Sequence, residues 1–547
     1  MLRYPNLLFF LLIISFVSCA QQINDKELIG EWKGELTDSN DILLDMMITL
    51  KGEDAIFKLS KDKNTLTHKF KLGNTFKVNL DDNVTFKGEL NRDKSQIEGF
   101  MVINRNLYPV KLVKKGNEYF GKSNLSILHH LKSNNLRLNI KEVNENGYTI
   151  YPMFGTFWVS DFKQEKNNLS FKDYKTGLKF EGQLKSSEMI FDVSLAGSFI
   201  ARTVFKKSGQ DKVSTLVSSN EKVKMNDGWE SSKNPLVLSQ METDIKIDSL
   251  VGVEGVLVAR KGKIVYENYF SGFEANIPHT MMSASKSISS AIIGVAIDDK
   301  IFSNVDEKLY NFIPQEYQYT KDSLKSEITI RDLLTMSSGL DVNNKAFEDN
   351  YQESNNWLKT VLEAPMVKQP GTYADYGSAN PFLLGVVLHE RLDIPLEVYM
   401  EEKFFSPLGI TNYIMNVDDT GVIPYFGGGL NLTPRDMLKF GQLYLNGGVW
   451  NGQQIISARW VEESFKKHVQ LQDRNKIEYG YLWWHDTTVV DGKPIQSVEA
   501  RGAGGQRICI VPELETVVVI TAGNFRNGKS LQSGKIFKEY ILPALMN

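Results

Sequence analysis

The hydrophobic pattern of this chain changes its period part-way along, and that change limits the fold more than any other feature. From about Ile23 to Phe205, apolar and polar residues alternate with period two, as in "NVTFKGEL", "QIEGFMVIN" and "YPVKLVKK". Turn-forming stretches such as "LDDN" and "NENG" separate the runs, so this half reads as antiparallel strands. It also carries a faint internal repeat. "FKGELNRDKSQIEGFMVINRNLYPVKLVKK" starts at Phe86 and "FEGQLKSSEMIFDVSLAGSFIARTVFKK" at Phe180. Each reads as a hairpin plus a strand ending in paired lysines. Two similar β-units are expected within residues 23–205, as two small barrels or one closed sheet. Residues 206–234 are rich in Lys, Ser, Asp and Asn and suit a linker.

From Pro235 onward helical and strand patterns mix. "VEGVLVARKGKIVYENYF" reads as a hairpin about "RKGK", and "RICIVPELETVVVITAGN" near the end reads as two more strands. Helical stretches lie between them. A sheet drawn from both ends of a domain, with helices inserted, is an α+β arrangement. The 235–547 region is therefore expected to be an α+β domain that follows an all-β one.

The first 19 residues read as a targeting segment. Arg3 supplies charge, and Leu7 to Val17 is apolar apart from Ser15. That run is shorter than the roughly 20 residues a membrane-spanning helix needs, so it reads as a secretory h-region. It ends in "FVSC", similar to a bacterial lipoprotein cleavage box, with Cys19 as the lipidated residue. The expected location is the cell envelope, periplasm-facing or at the cell surface, with a lipid on Cys19 as the membrane contact. Only one other cysteine, Cys509, exists, so a disulfide framework is not expected. The net charge of −3 gives no support to nucleic-acid binding. The seven histidines show no HxH or HExxH spacing, so neither a metal nor another cofactor is expected.

The chemistry concentrates in "SASKSISSAIIGVAIDD". If Ser283 opens a helix, Lys286 lies on the same face three residues later. Ile288, Ala291, Ile292 and Val295 follow at helical spacing, and Ile293, Ala296 and Ile297 fill other faces, so the helix is expected to be buried. Burial favours the neutral amine of Lys286, which can take the serine proton. The helix N-terminus favours an anion developing at Ser283. The tetrapeptide alone also allows Ser283 as an N-cap and Lys286 as a snorkelling surface residue.

Further stretches narrow the choice. With "SASKSI" at Ser283, "ITIRDLLTMSSGL" from Ile328, "PGTYADYGSANPFLLG" from Pro370, "FGGGLNLTPRDMLKFGQLYLNGG" from Phe426 and "ARGAGGQRICIVPELETVVV" from Ala500, the chain resembles the serine β-lactamase and penicillin-recognising family. The likeness runs over roughly residues 236 to 545 and is strongest to the class C-like branch, with its esterases and 6-aminohexanoate-dimer hydrolases. It implies a beta-lactamase-like α+β fold and an acyl-enzyme mechanism. By resemblance Ser283 is the nucleophile, Lys286 its partner and Tyr376 the proton shuttle, with Tyr373 as the fallback. The oxyanion hole falls to the backbone N–H groups of Ser283 and Ala503.

Two departures bear on substrate. The second motif, usually Tyr-x-Asn, reads Tyr376-Gly377-Ser378, and the third, usually opened by Lys or His, reads Ala500-Arg501-Gly502. Ser378 lacks the paired donor and acceptor of an amide. Ala500 removes a cation for a substrate carboxylate, and strand alternation points Arg501 the other way. The expected substrate is a small ester or amide, or a peptide, with no obligatory carboxylate. Ser378 and Gly502 are expected to line the substrate site. In "EYGYLWWHD", the alternating Tyr479, Tyr481 and Trp483 are expected to wall the cleft or fill a core strand, and Trp483 is taken as a substrate contact. His485 is not needed for proton transfer, and the run Gly427 to Gly429 reads as a turn. The alternative function is a catalytically weak, penicillin-binding-like module that holds cell-wall peptide or glycan.

Overall fold

The computed structural model describes residues 30–207, apart from short turns and the segments 125–135 and 153–158, and residues 227–546, apart from 271–272, 345–346, 348–350, 353 and 526–527. The leader and Cys19 lie outside the described residues.

The amino-terminal half is built of antiparallel strands in two sheets. Among the described residues one has eight strands, in the order Gly147–Pro152, Leu136–Asn144, Gly30–Asp38, Ser198–Lys207, Glu188–Leu195, Lys179–Lys185, Asn168–Asp173 and Val159–Glu165. The other includes Leu43–Lys51, Asp54–Lys61, Val84–Leu90, Gln96–Ile103, Asn106–Lys115 and Glu118–Asn124. The two sequence repeats form equivalent three-strand meanders, Val84–Leu90 to Asn106–Lys115 in the second sheet and Lys179–Lys185 to Ser198–Lys207 in the first. Period-two alternation sends Phe171, Phe180, Phe191 and Phe205 of one sheet, and Phe57 and Phe86 of the other, inward. These rings meet in a single shared core with Trp32 and Tyr108. Among the described residues neither separate barrels nor one closed sheet forms; two sheets bury their inner faces together.

The carboxy-terminal half centres on a sheet that has nine strands among the described residues. Val253–Arg260 pairs with Lys263–Tyr269 on one side and with Thr516–Ala522 on the other, and Gln506–Val511 and Lys493–Gly502 continue outward. Both ends of the domain thus supply the sheet and helices lie between them in sequence, which is the α+β arrangement expected. Helix Ser285–Asp298 is buried from Ser285 through Ala296, because apolar residues cover every side of it. Gly294 admits the Trp460 indole; a Cβ there would lie 2.4 Å from Trp460 Cδ1.

Two features differ from the sequence expectation of a linker at 206–234. Lys206 and Lys207 end the strand Ser198–Lys207. The stretch from Asp227 is fastened to the second domain: Asp227 pairs with Arg435 at 2.9 Å, and Trp229 Nε1 donates to the Arg435 carbonyl at 3.3 Å. Glu230–Ser231 adds a parallel edge beside Lys263–Ile264.

The second of the amino-terminal sheets, eleven strands among the described residues, crosses from one half of the chain into the other. Asn106 and Leu107 pair with Asn416 and Met415, strand Tyr413–Asn416 pairs with Leu430–Leu432, and that strand pairs with His279–Thr280. Ser283 follows three residues after Thr280. Among the described residues no helix is long and apolar enough to cross a membrane.

Candidate active site

Ser283 lies in a 3₁₀ turn, Met282–Ala284, that runs straight into helix Ser285–Asp298. The α-helix begins two residues later than the spacing suggests, and the serine occupies the tighter turn ahead of it. Met282, immediately before it, has φ +47°. A left-handed conformation at a non-glycine residue persists only where its surroundings hold it, and such outliers cluster at functional sites. Here the Ser285 hydroxyl donates to the Met282 carbonyl at 2.8 Å, and the Met281 N–H donates to the Leu430 carbonyl at 2.9 Å.

Lys286 is one turn further on, with only 1% of its surface exposed. Its Nζ is 2.8 Å from Ser283 Oγ, 3.1 Å from Ser378 Oγ and 2.5 Å from the Gly427 carbonyl oxygen. The three-residue spacing of Ser283 and Lys286 thus puts their functional atoms in direct contact. Ser378 sits just before helix Ala379–Arg391 and turns its hydroxyl onto Lys286. Gly427 belongs to the three-glycine run. A Cβ there would lie 2.5 Å from Tyr425 Oη, so a side chain at this position would have to displace the Tyr425 ring.

Tyr376 enters from the loop before helix Ala379–Arg391. Lys286 Nζ lies 5.2 Å from its ring centroid. The loop is pinned at several points: Asp375 N–H donates to the Met336 carbonyl at 3.0 Å, Asn343 Nδ2 to the Asp375 carbonyl at 2.7 Å, and Tyr376 N–H to Asp473 Oδ1 at 3.1 Å. Arg474 lies 5.5 Å over the Tyr376 ring while pairing with Asp473 at 3.1 Å. Burial, with the hydrogen bond and charge of Asp473 beside it, pushes the Asp375 carboxyl up to about 6. Tyr373 points away. It is exposed, with Lys368 over its ring.

The end of strand Lys493–Gly502 closes against the turn that carries Ser283. A Cβ on Gly502 would lie 2.2 Å from the Met281 carbonyl oxygen and 3.1 Å from the Ala284 nitrogen. Only glycine permits that approach. Ala503 then opens the 3₁₀ turn Ala503–Gly505. N–H groups at the start of a helical turn have no acceptor inside it. Ser283 and Ala503 each stand at such a place, on two backbone segments in contact.

The beta-lactamase family model matches residues 245–537. The chain belongs to the beta-lactamase family. A 6-aminohexanoate-dimer hydrolase of Paenarthrobacter ureafaciens is 23% identical over 314 residues, 51% of this chain and 76% of that protein. Beta-lactamase-like protein 4 of Dictyostelium discoideum is 24% identical over 307 residues, 46% of this chain and 54% of its own length. Among solved structures, the octameric penicillin-binding protein homologue of Pyrococcus abyssi superposes with a TM-score of 0.44 at 18% identity, over 56% of this chain and 76% of that one.

Against the family pattern, the third-motif cation is absent here: Ala500 is fully buried. Arg501 lies on the opposite strand face from Ala500, and its guanidinium is engaged by Glu499 at 2.7 Å and Asp486 at 2.5 Å. Burial pushes the Glu499 carboxyl up, but Arg507 and Arg501 outweigh it and hold the group down at about 2.

Trp483 is a correction. It is fully buried, its ring among Phe440, Tyr444 and Phe465, so it contacts no substrate. "EYGYLWWHD" is not one strand. Ile477–Tyr479 and Trp484–Val490 are separate strands, and Leu482 at φ +61° turns the chain between them. After the turn, Trp484, only 8% exposed, packs on Tyr376, and Tyr479 meets the same ring edge-on at 6.2 Å. Trp484 takes the place expected of Trp483: its ring is 4.8 Å from that of Tyr376, with Arg501 5.4 Å over its own centroid. Tyr479 and Tyr481 are buried as well. His485 stands among Lys467, Glu478 and His468, and burial lowers it to about 4. The sequence reading missed Gly427, Asp375, Asp473, Arg474 and Trp484. Only Gly427 had a visible signal, a glycine run that read as a turn and nothing more.

Proposed function

We propose that this protein is a serine hydrolase that acts through an acyl-enzyme on a small ester or amide. The observation that carries the reading is the contact between Lys286 Nζ and Ser283 Oγ, 2.8 Å apart, with the lysine 1% exposed. A lysine kept only for solubility has no reason to be buried beside a hydroxyl. With the amine neutral, Nζ accepts the Ser283 proton as Oγ attacks the substrate carbonyl carbon. The carbonyl oxygen becomes an oxyanion that the N–H groups of Ser283 and Ala503 receive; one such donor is worth about 3 kcal/mol of transition-state stabilisation. Tyr376, beside Lys286, passes the proton to the leaving alcohol or amine. Water then attacks the acyl carbon and gives its proton back along the same route, which frees the acid and restores Ser283.

The buried Ala500 and the engaged Arg501 support a substrate without an obligatory carboxylate. The Arg474 guanidinium over the Tyr376 ring is already paired with Asp473. We further propose that the enzyme works at the cell envelope, held by a lipid on Cys19; replacing Cys19 by Ser should move the protein from the membrane to the soluble fraction.

The test is covalent. A fluorophosphonate probe should add one label at Ser283, and p-nitrophenyl esters should be hydrolysed faster than a chromogenic cephalosporin. An unlabelled Ser283 in folded protein rejects the mechanism. Measurable binding of a muropeptide with no turnover of any ester or amide would favour the binding-module alternative.

A further inference from the structure

The catalytic lysine is fixed through its contact with the Gly427 carbonyl, and the loop carrying Gly427 leans on the amino-terminal domain. The loop spans 417–429, between strands Tyr413–Asn416 and Leu430–Leu432. At its start, Val417 N–H donates to the Arg105 carbonyl at 2.9 Å, and the Asn416 side chain donates to that of Asn106, which is fully buried. Arg105 and Asn106 belong to the tight turn between strands Gln96–Ile103 and Asn106–Lys115, where Asn104 has φ +50°. The Arg105 guanidinium lies 5.2 Å over the Trp357 ring. Trp357 stands edge-on to Tyr425 with centroids 5.3 Å apart, and Tyr425 packs on Gly427 and Gly429. Asp419, in the same loop, is half-buried; burial raises its pKa, and the Arg105 charge works against that rise. A continuous path of contacts thus runs from Arg105 through Trp357 and Tyr425 to the carbonyl that holds Lys286 Nζ.

We infer that the Asn104–Asn106 turn of the amino-terminal sheet is a positioning element of the active site, setting the place of the Gly427 carbonyl and through it the place of Lys286 Nζ beside Ser283. This rests on the hydrolase reading above. The amino-terminal domain is then more than a spacer between membrane and enzyme, because part of the catalytic geometry is built from it. The contacts are also of the right kind. Cation–aromatic and main-chain hydrogen bonds fix orientation, where a purely apolar interface would fix only proximity.

The experiment uses the full chain and compares Arg105→Ala with Lys87→Ala. Lys87 crosses the same interface to the buried Glu397 at 3.2 Å, a pair that shares none of the Arg105, Trp357 and Tyr425 contacts. Arg105→Ala should lower kcat and the fluorophosphonate labelling rate together by about tenfold, the size expected for loss of a partly desolvated cation–aromatic contact, with KM held. Arg105→Lys should restore most of the rate. Lys87→Ala should lower thermal stability and the fraction of protein that labels, while the labelled fraction reacts at the wild-type rate. If Arg105→Ala fails to fold, Trp357→Phe interrupts the same path from inside the catalytic domain and should show the same joint loss. A wild-type labelling rate in the folded variants overturns the inference, as does a loss confined to the labelled fraction. Wild-type protein that never labels at Ser283 overturns instead the hydrolase reading.

Discussion

At the scale of single residues, chemistry with fixed spacing could be read from the sequence and chemistry set by a backbone turn could not. Ser283 and Lys286 meet because a helical turn always brings positions three apart together. Trp483 and Trp484 exchange places because one left-handed residue, Leu482, breaks the alternation on which the sequence reading relied. The two tryptophans should therefore respond differently. Trp483→Ala empties a fully buried aromatic site and should cost roughly 3–5 kcal/mol in urea unfolding, with KM unchanged in whatever remains folded. Trp484→Ala removes a wall beside Tyr376 and should act mainly on KM and on the order of substrate preference. Equal effects on stability and none on KM would return Trp484 to the core. The Asp375–Asp473 pair adds a pH dependence invisible in sequence, since the two carboxyls are brought together only by the fold. Asp375 titrates near 6 in the folded protein against an ordinary value of 3.8. The folded state therefore holds a proton that the unfolded state has released. This contribution to stability is complete below about pH 4 and is lost as pH rises through about 6. The melting temperature of wild-type protein should fall, relative to Asp375→Asn, between pH 4.5 and 7. Parallel curves for the two proteins would show that the pair does not share a proton.

At the scale of elements, the helix Ser285–Asp298 was legible because its apolar residues cover all sides, a pattern few other structures satisfy. The sheet contributed by both ends of the second domain was legible for a related reason: its hairpins carry turn residues between β-branched runs. The turn that presents Ser283 was not. It depends on the positive φ of Met282 and on the approach of a strand from far along the chain, neither of which leaves a periodic signal. Gly502 makes that approach possible, which defines a sharp test. In Gly502→Ala the new methyl group meets the Met281 carbonyl, a main-chain atom that cannot swing aside. The strand must retreat from the Ser283 turn and carry the Ala503 N–H with it. Loss of one oxyanion donor predicts a fall in kcat of about 10²–10³. The variant should keep its circular dichroism spectrum and label slowly with fluorophosphonate. An unchanged rate would place the oxyanion donor somewhere other than Ala503.

At the scale of the whole molecule, the sequence showed two units with different periodicity but gave no sign of how they join. Strand pairing across the junction uses main-chain groups, and its register is a matter of geometry rather than side-chain type, so Asn106–Leu107 and Met415–Asn416 look unremarkable in a string of letters. The burial they produce is nonetheless reciprocal. Phe100, Val102 and Leu107 of the amino-terminal sheet sit in the core of the beta-lactamase-family domain, and Ile414 of that domain sits in the core of the amino-terminal one. Glu397 is 1% exposed and takes its counter-charge from Lys87. Cutting between the units would leave a buried carboxylate without its cation, an apolar strand edge without its partner and a core without three of its members. Each of these is costly by itself, and an unpaired edge also invites aggregation. A chain beginning at Asp227 should therefore be poorly soluble or unfolded, and co-expression with a separate chain of residues 23–207 should recover soluble material that labels at Ser283. A soluble, monomeric 227–547 chain with the melting temperature and kcat of the whole protein would show instead that the shared sheet is only a resting contact between two independent domains.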